Sequence, residues 1–167
     1  MFENLDKVKS VITEIFTQIS LNKLSNCHDL NVLAENVFMY VLNDCFGYHL
    51  QNANILNNVP NQVGFDLIDT ENKIIFQVTS SDTIEKYSET IKKVKNVHGL
   101  EGFNLKFFIL KASANKHPAS SKIHNLSRPI IFDKDKDILD GNWLFAQFTS
   151  HFDRISLIEK HLELLFN

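Results

Sequence analysis

The sequence is poor in the residues that build the commonest cofactor and metal sites. It has only 5 Gly, with neither a GxxxxGK[ST] loop nor a GxGxxG turn, so nucleotide handling by those two routes is excluded. Cys27 and Cys45 form no CxxC pair and read as small buried hydrophobes in a reducing cytoplasm. The histidines at 28, 49, 98, 117, 124, 151 and 161 show no HxH or HExxH spacing, which argues against zinc. No GxSxG elbow occurs either. No apolar run approaches a membrane span, and "MFENLDKVKS" has no signal-peptide core, so a cytoplasmic chain off the membrane is expected. Gly/Ser or Pro linkers and internal repeats are also missing, and 167 residues are most simply one domain.

What is present is an ordinary globular composition, 44% hydrophobic and 22% charged. The 14 Phe against 3 Tyr and 1 Trp point to a Phe-filled core, not an exposed stacking platform. A net charge of −3 argues against a generic nucleic-acid coat. The charge is uneven, however. Eight lysines (86, 92, 93, 95, 106, 111, 116, 122) face only Glu89 and Glu101 between Lys86 and Lys122. That basic middle suits phosphate, although a solvated lysine-rich helix face is the commoner explanation.

Periodicity predicts the elements in order. Leu5, Val8, Val11, Ile12, Ile15, Phe16 and Ile19 make a helical stripe over about 3–22. A second helix over 30–46 should turn Val32, Leu33, Val37, Tyr40 and Val41 inward, with Glu35 beside the stripe and Gly47 as its stop. "YHLQNANIL" can form a strand, "NNVPNQVG" a loop. Strands at 63–69 and 73–80 then flank a "TENK" turn in which Asp69 serves the turn. A helix capped by Ser81 or Asp82 follows and keeps Ile84, Tyr87, Ile91, Val94 and Val97 together. "NLKFFILKA" reads as a strand buried on both faces. After "SANKHPASS" come a short helix, a short strand in "RPIIF", a solvated acidic turn "DKDKDILDG", and helix from Trp143 to Phe166 broken near Asp153. The expected fold is α/β: a central mixed four- to five-stranded sheet flanked by helices. An N-terminal helix (1–29), an α-β-β-β-α-β core (30–132) and a C-terminal helical extension (133–167) make up that single domain.

The polar residues of the hairpin call for explanation. In "GFDLIDTENKIIFQVTSS", alternation sends Gln77 and Thr79 to one face, and a "TENK" turn brings Asp66 near one of them. The start of the next helix, with Ser80, Ser81 and Thr83, adds N–H groups that favour an anion. Asp66 can instead serve turn amides, Gln77 and Thr79 can fill the sheet in pairs, and Glu35 and Lys86 can be solvent-edge residues.

Asp, turn, polar-x-polar strand and helix in this order resemble the PD-(D/E)xK, or restriction-endonuclease-like, superfamily. Within it the chain is most similar to the bacterial SMEK-type domain, through "GFDLID", "FQVTSS", "EKYSETI" and "FDKDKDILD", over about 31–166. The resemblance implies a Mg²⁺- or Mn²⁺-dependent nuclease acting on DNA more than on RNA, in a bacterial defence or mobile-element setting. Carried over, Asp66 and Glu35 bind the metal, and Gln77 takes the place of the usual Glu. The backbone carbonyl of Val78 adds a ligand, and Thr79 occupies the place of the usual Lys. Gln77 supplies no charge and Thr79 no cation, so Lys86, one turn into the helix, has to provide it. The same departures fit a catalytically silent fold that binds nucleic acid, or an adaptor to an ATPase or other effector with the terminal helices as docking surface. A separately encoded partner or a homodimer is the expected context.

Overall fold

Ile74, Phe76 and Val78 pack on one face of a sheet against the long terminal helices, while Ile75 packs on the other face with Tyr87, Ile91 and Val94. One alternating strand thus separates two apolar layers. In the computed structural model, residues 2–22, 28–53, 64–116 and 129–166 are described. The elements are α1 (Phe2–Leu21), α2 (His28–Phe46), β1 (Gln51–Asn52), β2 (Leu67–Asp69), β3 (Ile74–Thr79), α3 (Ile84–Lys95), β4 (Asn104–Ile109), a one-turn α4 (Lys134–Asp137), β5 (Ile138–Leu139), α5 (Gly141–Ser150), a 3-10 turn (Phe152–Arg154) and α6 (Ile155–Phe166).

The sheet order is β1-β2-β3-β4-β5. β1, β2 and β3 are antiparallel neighbours, whereas β3, β4 and β5 run parallel. The parallel step from β3 to β4 needs a crossover, which α3 supplies while covering one face. α1, α2, α5 and α6 cover the other. The α/β class and the five-stranded mixed sheet agree with expectation. Among the described residues no helix is long and apolar enough to cross a membrane.

Several boundaries differ from the sequence reading. β2 is only three residues long, and residues 64–66 lie outside the ladder. On α2 the buried positions are Ala34, Val37, Phe38, Val41, Leu42 and Cys45, while Val32 and Tyr40 are exposed. The stripe is rotated because Ala34 and Phe38, small and large in alternation, sit over the sheet. Neither Ser81 nor Asp82 caps α3: the Thr83 hydroxyl accepts from the Lys86 amide. Asp82 instead holds Lys111 Nζ at 2.8 Å and the Asn115 amide at 2.8 Å.

The acidic run is not a solvated turn. It forms α4 and β5, the latter inside the stretch expected to be a purely helical extension. Asp137 is buried and accepts from Lys106 Nζ, Asn104 Nδ2 and the Asp133 amide. The "NNVPNQV" loop, the short helix after "SANKHPASS" and Cys27 lie outside the described residues.

Two local features fix the layers. Gly141 opens α5 so close to α1 that a Cβ there would lie 2.6 Å from the Phe16 ring. Phe16 in turn stacks on Phe38 of α2 at 5.7 Å, and Phe38 meets Phe108 of β4 at 4.6 Å. At the hairpin, the fully buried Asp69 carboxylate accepts from the amides of His49, Glu71 and Asn72 and from Asn72 Nδ2. Burial pushes its pKa up, but the Asn72 side chain and these amides outweigh burial and hold it below the ordinary carboxylate value. Asp69→Ala orphans those donors and should cost about 3 kcal/mol in urea unfolding. A loss under about 1 kcal/mol would show that the turn does not depend on this carboxylate.

Candidate active site

The site begins where β2 leaves the ladder. The Asp66 amide still donates to the Phe76 carbonyl at 2.8 Å, and the Asp66 carbonyl accepts from Ala53 at 2.9 Å. With β2 over, the next inward-facing amide of β3, that of Val78, would be left without a partner. The Asp66 carboxylate takes it, Val78 N donating to Oδ2 at 2.8 Å. A buried donor needs an acceptor, and a side chain has replaced the missing strand. Asp66 is thereby held in the plane of the sheet, not projected from the face of Ile68 as plain alternation would have it.

Glu35 and Lys86 act on this carboxylate from opposite layers. Glu35 lies on α2, half-buried, one turn before Phe38, and hydrogen-bonds Asp66. Burial first, then the Asp66 charge and that bond, pushes Glu35 up to about 7. Asp66 is pushed up to about 6 by burial, against the Val78 amide, the Lys86 charge and the bond with Glu35, all of which favour its ionised form. The two carboxyls therefore share a proton well above the ordinary carboxylate range, as a pair. Lys86, half-buried on the first turn of α3, supplies the local positive charge.

The other expected site residues stand apart. By alternation Gln77 and Thr79 point toward α3, the side from which Lys86 comes and opposite to Glu35. The Thr79 hydroxyl accepts from the Ser81 amide at 3.1 Å, which ties it into the turn before α3. Val78 contributes main chain. Its N–H and C=O point to the same side of a strand, so its carbonyl also faces Asp66. Among the described residues, no group of three or more His, Cys, Asp or Glu side chains is placed to hold a metal.

Residues 7–149, from α1 through α5, match the family model of the SMEK domain. The chain belongs to that family. No curated protein and no solved structure matches it.

The basic middle of this SMEK domain is not one surface. Lys93 pairs with Glu89, Lys106 with Asp137 and Lys111 with Asp82, while the charge of Lys86 acts on Asp66. Cys45 is no nucleophile: burial, with the Asp44 charge behind it, pushes its thiol up to about 11. What sequence reasoning missed is the Val78 amide as the anchor of Asp66. The signal for it was a strand too short to satisfy β3, and that is not visible in composition.

The carboxyl pair weakens the fold of the SMEK domain in a defined window. Both groups hold protons more tightly folded than unfolded, so their contribution is complete in acid and is lost as pH rises from about 4 through about 7. Glu35→Gln keeps the shape and removes that titration. Its melting temperature relative to wild type should rise between pH 5 and pH 8, by on the order of a few °C. A difference that is flat over that range would mean the two carboxyls do not share a proton.

Proposed function

We propose that this SMEK domain is a metal-dependent phosphodiesterase acting on nucleic acid, DNA before RNA. The observation that carries the reading is the pairing of Glu35 with Asp66 beside the carboxyl end of β3, with the charge of Lys86 acting on Asp66 from the first turn of α3. Bringing two carboxylates together under a shared proton is costly for stability, and such arrangements are characteristic of sites kept for chemistry. In open sheets with parallel strands, ligands favour that end.

The donor set fits Mg²⁺ or Mn²⁺. Two carboxylates and a main-chain carbonyl are hard oxygen donors, and Mg²⁺ keeps several waters and needs few protein ligands. Glu35, Asp66 and the Val78 carbonyl would hold it, and their mutual repulsion is what a cation relieves. Bound there, the ion supplies Lewis-acid polarisation of a phosphate and an acidified water. The chain's own part is to hold Asp66 rigid through the Val78 amide, to release the proton shared with Glu35, and to present the Lys86 ammonium to phosphate or developing negative charge. Gln77, on the α3 side, offers an amide oxygen and no charge. A bacterial defence setting, a separate partner protein or a homodimer belongs to the same proposal and rests on the superfamily likeness.

One observation favours the silent alternative: the Thr79 hydroxyl, in the place of the usual lysine, is engaged by the Ser81 amide. The test is cleavage of plasmid and single-stranded substrates with Mg²⁺ or Mn²⁺, beside Asp66→Ala and Lys86→Ala. Cleavage should fall at least a hundredfold in Asp66→Ala and roughly tenfold or more in Lys86→Ala, in line with loss of a metal ligand and of one electrostatic contact. No cleavage by the wild type with either metal, while nucleic acid is still bound, would leave the fold as a binding module.

A further inference from the structure

A second feature lies on the same face of the sheet as Glu35. Beyond Val78, β3 ends and Ser80 lines a cleft of about 350 Å³ between α1, the end of β4 and α5. Ser80 is two residues from Val78, so the cleft starts about 7 Å along the strand from the Asp66 anchor. Phe16, which is part of its wall, stacks on Phe38, and Phe38 is one helical turn from Glu35. The cleft and the Asp66 anchor are therefore neighbours along β3.

Its walls are apolar and aromatic. Phe16, Leu110 and the half-buried Phe145 form them, together with the stem of Lys111. Lys111 has its ammonium tied to Asp82, so it contributes hydrocarbon here more than charge. Hydroxyls stand at the rim: Ser80 from the strand and Thr17 from the exposed face of α1. Thr17 donates to the Thr13 carbonyl at 3.0 Å, so what it offers outward is an acceptor. Lys9 lies over the Phe145 ring at 5.7 Å, a positive charge beside the aromatic wall. Leu21, at the cleft, is 71% exposed. The α5 N-terminus is not free to bind an anion there, because its first amides already donate to the Lys111 and Ala112 carbonyls.

A flat aromatic group with polar edges, attached to a phosphate, matches these walls, this rim and this cation. We infer that the cleft takes an unpaired nucleobase of the substrate strand, stacked against the Phe16–Phe145 wall, while the adjoining phosphate lies toward Glu35 and Asp66. Duplex DNA has its base faces covered and cannot enter. The substrate class of this site is therefore single-stranded or locally opened nucleic acid. The inference rests on the phosphodiesterase reading of the neighbouring carboxyl pair.

The experiment is fluorescence-anisotropy binding of a labelled ten-nucleotide single strand and the matched duplex to the full chain, without divalent metal. It compares wild type, Thr17→Trp, which fills the cleft from an exposed helix position, and Phe145→Ala, which removes a wall. The single strand should bind at least tenfold more tightly than the duplex. Both variants should weaken it about tenfold, close to the loss of one stacked base, and leave duplex binding alone. Equal affinity for both forms, or unchanged single-strand affinity in Thr17→Trp, overturns the inference. Pocket-dependent binding with no cleavage under any metal would instead overturn the phosphodiesterase reading alone, since metal-free binding does not depend on it.

Discussion

The amide of Val78 has to be satisfied, and much of the molecule follows from how that is done. A three-residue β2 cannot pair with all of β3, and an unpaired amide at the edge of a buried sheet costs free energy comparable to a lost hydrogen bond. Asp66 meets the need with its carboxylate. In doing so it brings a charge to the inner edge of the sheet, where burial penalises it. Glu35 and Lys86 become intelligible as the responses of the two helical layers: one shares a proton with Asp66, the other offsets its charge.

The same end of the sheet collects the chain's other polar commitments. Asp82 joins the start of α3 to the segment after β4 through Lys111 and Asn115, and the Tyr87 hydroxyl donates to the Asn115 carbonyl. The opposite end is closed by Asp137, Lys106 and Asn104. Polar networks thus brace β4 at both ends, leaving its middle, Phe107 and Phe108, to pack on both faces. Asp66, although outside the ladder, is tied to this braced strand pair through the Phe76 carbonyl and the Val78 amide.

Much of this was legible in the sequence. Apolar spacing located the long helices, the hairpin and the buried strand, because each depends on burial of one periodic face. Asp69 was assigned correctly to its turn, and of the residues nominated from a motif likeness Glu35 lies against Asp66 while Lys86 acts on Asp66 through its charge. What could not be read were features set by partners distant in sequence. The rotation of α2 that exposes Val32 and Tyr40 depends on how Phe38 meets Phe16 and Phe108. The burial of Asp137 depends on Lys106, and Asp82 is drawn from capping by Lys111. Nor does a two-residue strand such as β5 carry a period long enough to recognise.

Gly141 has a reach that its distance from Asp66 conceals. The missing side chain lets α5 close on Phe16, Phe16 sets the position of Phe38, and Phe38 rides on the helix that carries Glu35. The spacing of the two carboxyls is thus calibrated through a train of aromatic rings, starting from a methyl-sized gap in another part of the helical layer. A single carbon added at that gap would press on the Phe16 ring and on the Lys111 and Ala112 backbone, and the displacement would be passed along the same train toward Glu35.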